Sequence, residues 1–311
     1  MFGATASALT VSPAKVEITG DPGTTIYGEI KLFNEQDGTR TFFSSSENFE
    51  PTGDTGAPHF IGAKDGLATW IGTDAEVTLG SGEYKTIPFS ITIPADARPG
   101  GYFAAIFWGS QPVGGGGSGE VSIGGKIGVL VLLRVSGDVS EEAGLSEFRT
   151  NDNQKFFTTI PVTFTYLMNN TGGDRIVPLG DVVIKNTFRM TSATLSSNKN
   201  QGSVLPGSTR KFDVVWGDET QEAILGTETE TDGFFEALRR EWQDFHFGWY
   251  TAHLSLAWGV TNQTADASYH FFIFPWHLLL VILVILFLGV MIVRKYNRFI
   301  IAKASQQYKN G

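Results

Sequence analysis

The residues best suited to chemistry are few and scattered. Five histidines occur: His59, His246, His253, His270 and His277. None stands in an H-x-x-x-H or H-E-x-x-H spacing, and none accompanies a G-x-S-x-G turn, so neither a zinc protease helix nor a serine-hydrolase elbow is written here. Cysteine is absent, which excludes disulfides, thiolate nucleophiles and Cys-based zinc sites. Glu228, Glu230 and Asp232 alternate as calcium-binding oxygens can, but alternating acids in a loop are ordinarily solvated. The Gly-rich stretch 109–125 is not a phosphate-cradling loop. Position 120 is Glu, and Lys126 is followed by Ile127 where a P-loop needs Ser or Thr. We read it as a hairpin tip. Catalysis needs convergent groups of tuned reactivity; none is visible, and the expectation is a protein that is not an enzyme, with no cofactor and no metal.

Aromatic residues are the remaining resource: 24 Phe, 8 Tyr and 7 Trp. Trp70, Trp108 and Trp258 stand at strand ends or beside Gly-rich turns, where an indole can stack on a sugar ring. They are the candidate ligand contacts. Each has the competing role of core packing.

The elements that would position these residues are strands. Segments such as TIYGEIKLFN, EYKTIPFSITIP, FTTIPVTFTYLMN and WYTAHLSLAWG are short, rich in β-branched and aromatic residues, and separated by Gly, Pro, Asn and Asp clusters. The order repeats imperfectly in the two halves. Each ends in Gly-x-Tyr-x-Ala leading to Trp-Gly, at Gly100-x-Tyr102-x-Ala104 and Gly248-x-Tyr250-x-Ala252. This resembles the tyrosine corner of immunoglobulin-like sandwiches. The expected fold is all-β: two tandem immunoglobulin-like β-sandwiches, residues 9–136 and 151–265, joined by a polar linker at 137–150. The two are expected to stack end to end without sharing a core.

Within the second half, GFFEALRREWQDF places Phe234, Leu238, Trp242 and Phe245 on one helical face. A short amphipathic helix is expected near 233–245, either capping the sandwich or meeting a partner. Phe234, Leu238 and Trp242 are the candidate partner contacts.

From Phe271 to Val293 the chain has no Asp, Glu, Lys or Arg. As a helix this run is about 34 Å long, enough to cross a hydrocarbon core of about 30 Å. A transmembrane helix is expected at 271–293. The tail 294–311 holds Arg294, Lys295, Arg298, Lys303 and Lys309 and no acid. The positive-inside rule puts such a tail in the cytoplasm, with the rest outside a cell membrane. His277, just after Pro275-Trp276, reads as an interfacial residue. Residues 1–270 then carry 18 basic and 32 acidic side chains, a balance that disfavours nucleic acid as a partner and repels an anionic membrane surface. Residues 1–8, with Ala4-Thr5-Ala6 and Ala6-Ser7-Ala8, read as the remnant of a signal peptide.

LTVSPAKVEI with PGTTIYGEIKLFNEQD and LGSGEYKTIPFSITIPADARPGGYFAAIFW resembles the first domain of the WxL-interacting proteins of bacterial cell surfaces. FTYLMNNTGGDRIVPLGDVVIKNTFR with FGWYTAHLSLAWG resembles their second. The resemblance implies two immunoglobulin-like domains before a membrane anchor, the first binding peptidoglycan and the second a surface or host partner. Ser12-Pro13 with Ile18 also resembles the first strand of pilus chaperones, from which a permanent anchor separates this chain. The sequence therefore supports a non-catalytic, membrane-anchored bacterial surface protein that binds cell-wall glycan or an envelope protein. The alternative is a structural subunit of an envelope membrane-protein complex.

Overall fold

The computed structural model describes residues 9–111, 125–217 and 233–309, the last nine by backbone only. Residues 1–8, most of the Gly-rich stretch and the acidic run with Glu228, Glu230 and Asp232 lie outside the described residues.

The chain is mostly β. The N-terminal half holds strands β1 (Leu9–Ser12), β2 (Lys15–Gly20), β3 (Thr25–Asn34), β4 (Arg40–Thr52), β5 (Ala57–Gly62), β6 (Ile71–Thr73), β7 (Glu76–Leu79), β8 (Tyr84–Thr92), β9 (Gly100–Gly109) and β10 (Lys126–Val135), with a single helical turn α1 (Leu67–Trp70). They form two sheets, β1-β3-β8-β6 and β2-β10-β9-β4-β5, with β7 added beside β4. The sheets enclose a core that includes Ile30, Leu32, Phe42, Ile87, Ile106, Trp108 and Val131. Alternation explains the burial: Ile30 and Leu32 in β3, or Ile87, Phe89 and Ile91 in β8, recur every second residue and so share one face.

The C-terminal half holds β11 (Ala143–Thr150), β12 (Phe156–Phe157), β13 (Val162–Asn170), β14 (Leu179–Asn186), β15 (Thr191–Ser196), β16 (Ser208–Trp216), β17 (Gly248–Trp258) and β18 (Gln263–Ile273). Its sheets are β11-β13-β16 and β12-β18-β17-β14-β15. They enclose a second core around Phe164, Tyr166, Trp216, Leu254 and Phe271. Each half is thus a two-sheet sandwich of the immunoglobulin-like kind. Two helices follow the same numbering, α2 (Phe234–Gln243) and α3 (Trp276–Lys309).

Three sequence expectations are corrected. Residues 143–150, read as linker, form β11, paired with β13 across its length; Leu145 and Phe148 pack on the second core. Residues 271–273, read as the start of the membrane helix, end β18, which extends past the expected boundary at 265. Ladder bonds to β17 and β12 hold them extended, and the helix begins only after Pro275. The halves also do not merely stack. Leu205 packs against Phe49, Leu132, Phe60 and Phe103 on the outer face of the larger N-terminal sheet. The apolar run of β10 buries both of its faces, which is why it lacks alternation.

Polar bonds close the same junction. Arg134 reaches Glu141 at 3.1 Å and Asp174 at 2.9 Å, and Arg175 reaches Glu17 at 3.0 Å. Burial alone raises the Glu17 carboxyl, but hydrogen bonds from Lys15 and Arg175 outweigh it and hold the pKa below its ordinary value. The Gly101 N–H donates to Gly173 O at 2.9 Å. Gly100, at φ 141°, leaves no room there, since a Cβ would stand 2.9 Å from that same carbonyl.

Tyr166 gives the second core a pH signature. Its hydroxyl donates to Ser197 O at 3.2 Å, its ring stacks on Phe212, and burial pushes its pKa up. Burial raises Tyr250 likewise. A raised folded-state pKa contributes stability that is intact below the unfolded value of about 10 and is lost as pH rises through the folded one. Stability should therefore fall as pH rises above roughly 10, by up to about 1.4 kcal/mol per pH unit for Tyr166. Denaturation midpoints of the full chain in detergent, measured from pH 8 upward, check this. Tyr166→Phe should flatten the slope, and an unchanged slope would assign it elsewhere.

Candidate functional site at the sheet-to-helix junction

Helix α2 starts after Gly233 and stops at Asp244, whose N–H closes the last turn on Arg240 O at 2.9 Å. Its side chains at 234, 238 and 241 follow a helical stripe. Two of these are apolar; the third is Glu241. The stripe faces the first turns of α3. Phe234 lies against Trp276 and His277, with ring centroids 6.4 and 5.3 Å apart. Phe235, Leu238 and Trp242 line a shallow apolar groove with Leu278, Val281, Ile282 and Ile285. Phe245 joins Trp242 in a neighbouring one.

Glu241 is 1% exposed and is the centre of the contact. One carboxylate oxygen accepts the Leu278 N–H at 2.7 Å; the other lies 2.6 Å from His277 Nδ1. The first N–H groups of any helix lack an internal partner. Here a side chain 37 residues away supplies one, and its negative charge sits at the positive end of the helix dipole. At the same point the Phe274 N–H still donates to Phe157 O at 2.8 Å, while the Pro275 carbonyl already accepts the Leu279 N–H at 3.1 Å. The β-ladder ends at Phe274 and the helix takes over from Pro275, with no free linker between them. Sequence reading missed Glu241. The available signal was an acid occupying the apolar stripe of an amphipathic helix.

The other predicted residues fall as follows. Trp108 and Trp258 are buried in the two cores. They share the strand parity of Tyr102, Ala104 and Ile106, and of Tyr250, Ala252, Leu254 and Leu256, so they point inward and do not offer an indole face to a sugar. Trp70 is half-buried, with its ring 4.7 Å from Tyr102. The Tyr102 hydroxyl donates to Arg98 O at 3.0 Å, and Tyr250 bonds the backbone of Phe247; both reach back upstream as a tyrosine corner does. Phe234, Leu238 and Trp242 come together at the junction. Arg294, Lys295 and Arg298 lie exposed on α3, whose segment Trp276–Ile300 is long and apolar enough to cross a membrane.

One cluster has the residue types of a hydrolase. His253 Nδ1 lies 2.9 Å from Ser268 Oγ, and Asp266 accepts from Ser255 at 2.6 Å. His253 and Ser268 are direct cross-strand partners on β17 and β18, on an exposed face. Cross-strand pairing accounts for the contact. No group of three or more His, Asp or Glu side chains converges as a metal site among the described residues.

No protein-family model and no curated protein matches the chain. Among solved structures, it is similar to the class 5 fimbriae chaperone CfaA, at 9% identity and TM-score 0.39 over 85% of this chain and 99% of that one. The Escherichia coli chaperone DraB matches at 10% identity and TM-score 0.35, over 85% and 97%. A chaperone–adhesion subunit complex of Acinetobacter baumannii Csu pili matches at 10% identity and TM-score 0.37, over 84% and 98%. Likenesses this distant carry no argument about what the chain does.

Proposed function

We propose that this chain is a non-catalytic, single-span membrane protein of a bacterial envelope, a structural subunit that holds two sandwich domains in a fixed pose for a protein partner. In this reading α3 crosses the membrane, the basic tail lies inside and the sandwiches lie outside. The observation that carries it is the junction itself. A β-ladder that passes into the helix at Pro275, locked by Glu241 on the Leu278 N–H, supports a rigid mount. A protein that searches the wall for glycan is better served by a flexible stalk. The inward burial of Trp108 and Trp258 further lowers the case for glycan stacking. The resemblance to the WxL-interacting proteins fits a partner on the same surface.

The test is extraction from the native membrane in mild detergent. The chain should co-purify with a stoichiometric protein. Inserting a flexible Gly-Ser segment after Pro275 should leave membrane insertion intact and lose that partner. Purification of the wild-type chain alone, or full assembly by the insertion variant, would refute the reading. Retention of the full chain on purified sacculi above an albumin control would restore the glycan alternative.

A further inference from the structure

Large apolar side chains exposed outside α3 are unevenly placed. Among the described residues there are fifteen, and ten of them lie at the end of the C-terminal sandwich that carries the anchor. Register fixes that end. Gly248 and Trp249 of β17 face Ile273 and Phe272 of β18, and Phe156 faces Phe272 from the other side. The β14–β15 hairpin tip joins them, because Thr187 Oγ1 accepts the Trp249 N–H at 3.1 Å; that tip presents Phe188, 80% exposed, and Met190. The rings are contiguous: Phe272 stands 6.3 Å from Phe156, 6.1 Å from Phe247 and 5.0 Å from Trp249. Trp242, 71% exposed, continues the patch on α2.

The geometry points to one occupant. We infer that this apolar end lies in the headgroup layer of the lipid bilayer, so that the sandwich is seated in the membrane surface as well as tethered to it. The inference rests on the reading that α3 spans. From Trp276 to Val293 no charged residue occurs, which is about 27 Å of helix for a hydrocarbon core of about 30 Å. The whole uncharged run is needed to cross, so Trp276 must sit at the outer boundary. Only Phe274 and Pro275 separate it from β18, and Phe274 is still bonded to the sheet. The last rungs of the sandwich are therefore within a few ångströms of the headgroups. Tryptophan and other aromatic rings favour that layer. Lys155, Arg189 and Arg239 are exposed at this end beside Glu236, where cations can meet lipid phosphates. The acidic balance of residues 1–270 keeps the far parts away from an anionic surface, but it does not lift this end.

The chain has no cysteine, so single-cysteine variants can be labelled with an environment-sensitive fluorophore. Phe156→Cys and Phe188→Cys probe the patch. Val260→Cys, exposed at the opposite end of the same sheet, is the aqueous control, and Leu286→Cys probes mid-α3. The full chain is reconstituted into phosphatidylethanolamine–phosphatidylglycerol vesicles with or without spin-labelled lipid. The expected result is blue-shifted emission at 156 and 188, with quenching by shallow spin labels several-fold above that at 260. Emission and quenching equal to 260, with 286 quenched by deep labels, would overturn the seating while leaving the span intact. Blue-shifted emission without lipid quenching would overturn it in favour of a second protein copy over the patch. An unquenched label at 286 would remove the span and the seating with it.

Discussion

Replacing Phe271 by alanine is expected to destabilise the C-terminal sandwich by about 3–5 kcal/mol, the usual cost of truncating a buried phenylalanine. Phe271 is 0% exposed. Its ring meets Phe164 at 5.4 Å, Tyr250 at 5.7 Å, Phe157 at 5.9 Å and Trp216 at 6.0 Å. Chemical denaturation of the full chain in detergent, followed by tryptophan fluorescence, measures the effect. Leu286→Ala, on an exposed part of α3, is the comparison and should change the sandwich midpoint little. If the two variants behave alike, Phe271 belongs to the apolar helix and not to β18.

The second large effect is expected at Glu241. Glu241→Ala leaves the Leu278 N–H without its acceptor and removes the partner of His277, a loss of about 1–3 kcal/mol for a buried donor. The loss should be local, freeing α2 from α3 while both cores stay folded. Amide exchange at Leu278 and through Phe234–Gln243 should speed up by roughly 10- to 100-fold. Glu241→Gln keeps an acceptor oxygen and should fall between. Unchanged exchange in both variants would mean that the apolar groove alone holds α2 in place.

Much of the sandwich architecture was legible because alternation is a strong signal. Ile30 and Leu32, or Leu254 and Leu256, declare an inward face without help. The same parity could have placed Trp108 and Trp258 in the cores, since each continues a series that begins with Tyr102 or Tyr250; their position next to glycine drew attention to ligand stacking instead. The boundary at 271 was misplaced for a different reason. Phe271 to Ile273 are apolar whether they face a sandwich core or lipid, and hydropathy does not distinguish the two. Only the ladder partners of β17 do. Glu241 was the hardest to see, because its partners at 277 and 278 come together only after two sandwich strands, β17 and β18, have folded between them. Composition announces an amphipathic helix there, but not which helix end its carboxylate will meet.

The passage from sheet to helix at Pro275 also fixes an angle. A helix advances about 100° per residue, and α3 runs unbroken through its 34 residues. The azimuth of the basic tail is therefore set by the azimuth of the sandwich, as a key's bit is set by its bow. One residue added after Pro275 would swing the tail by more than a quarter turn, and four would bring it nearly back, so a partner that grips both sandwich and tail would read insertion length as phase.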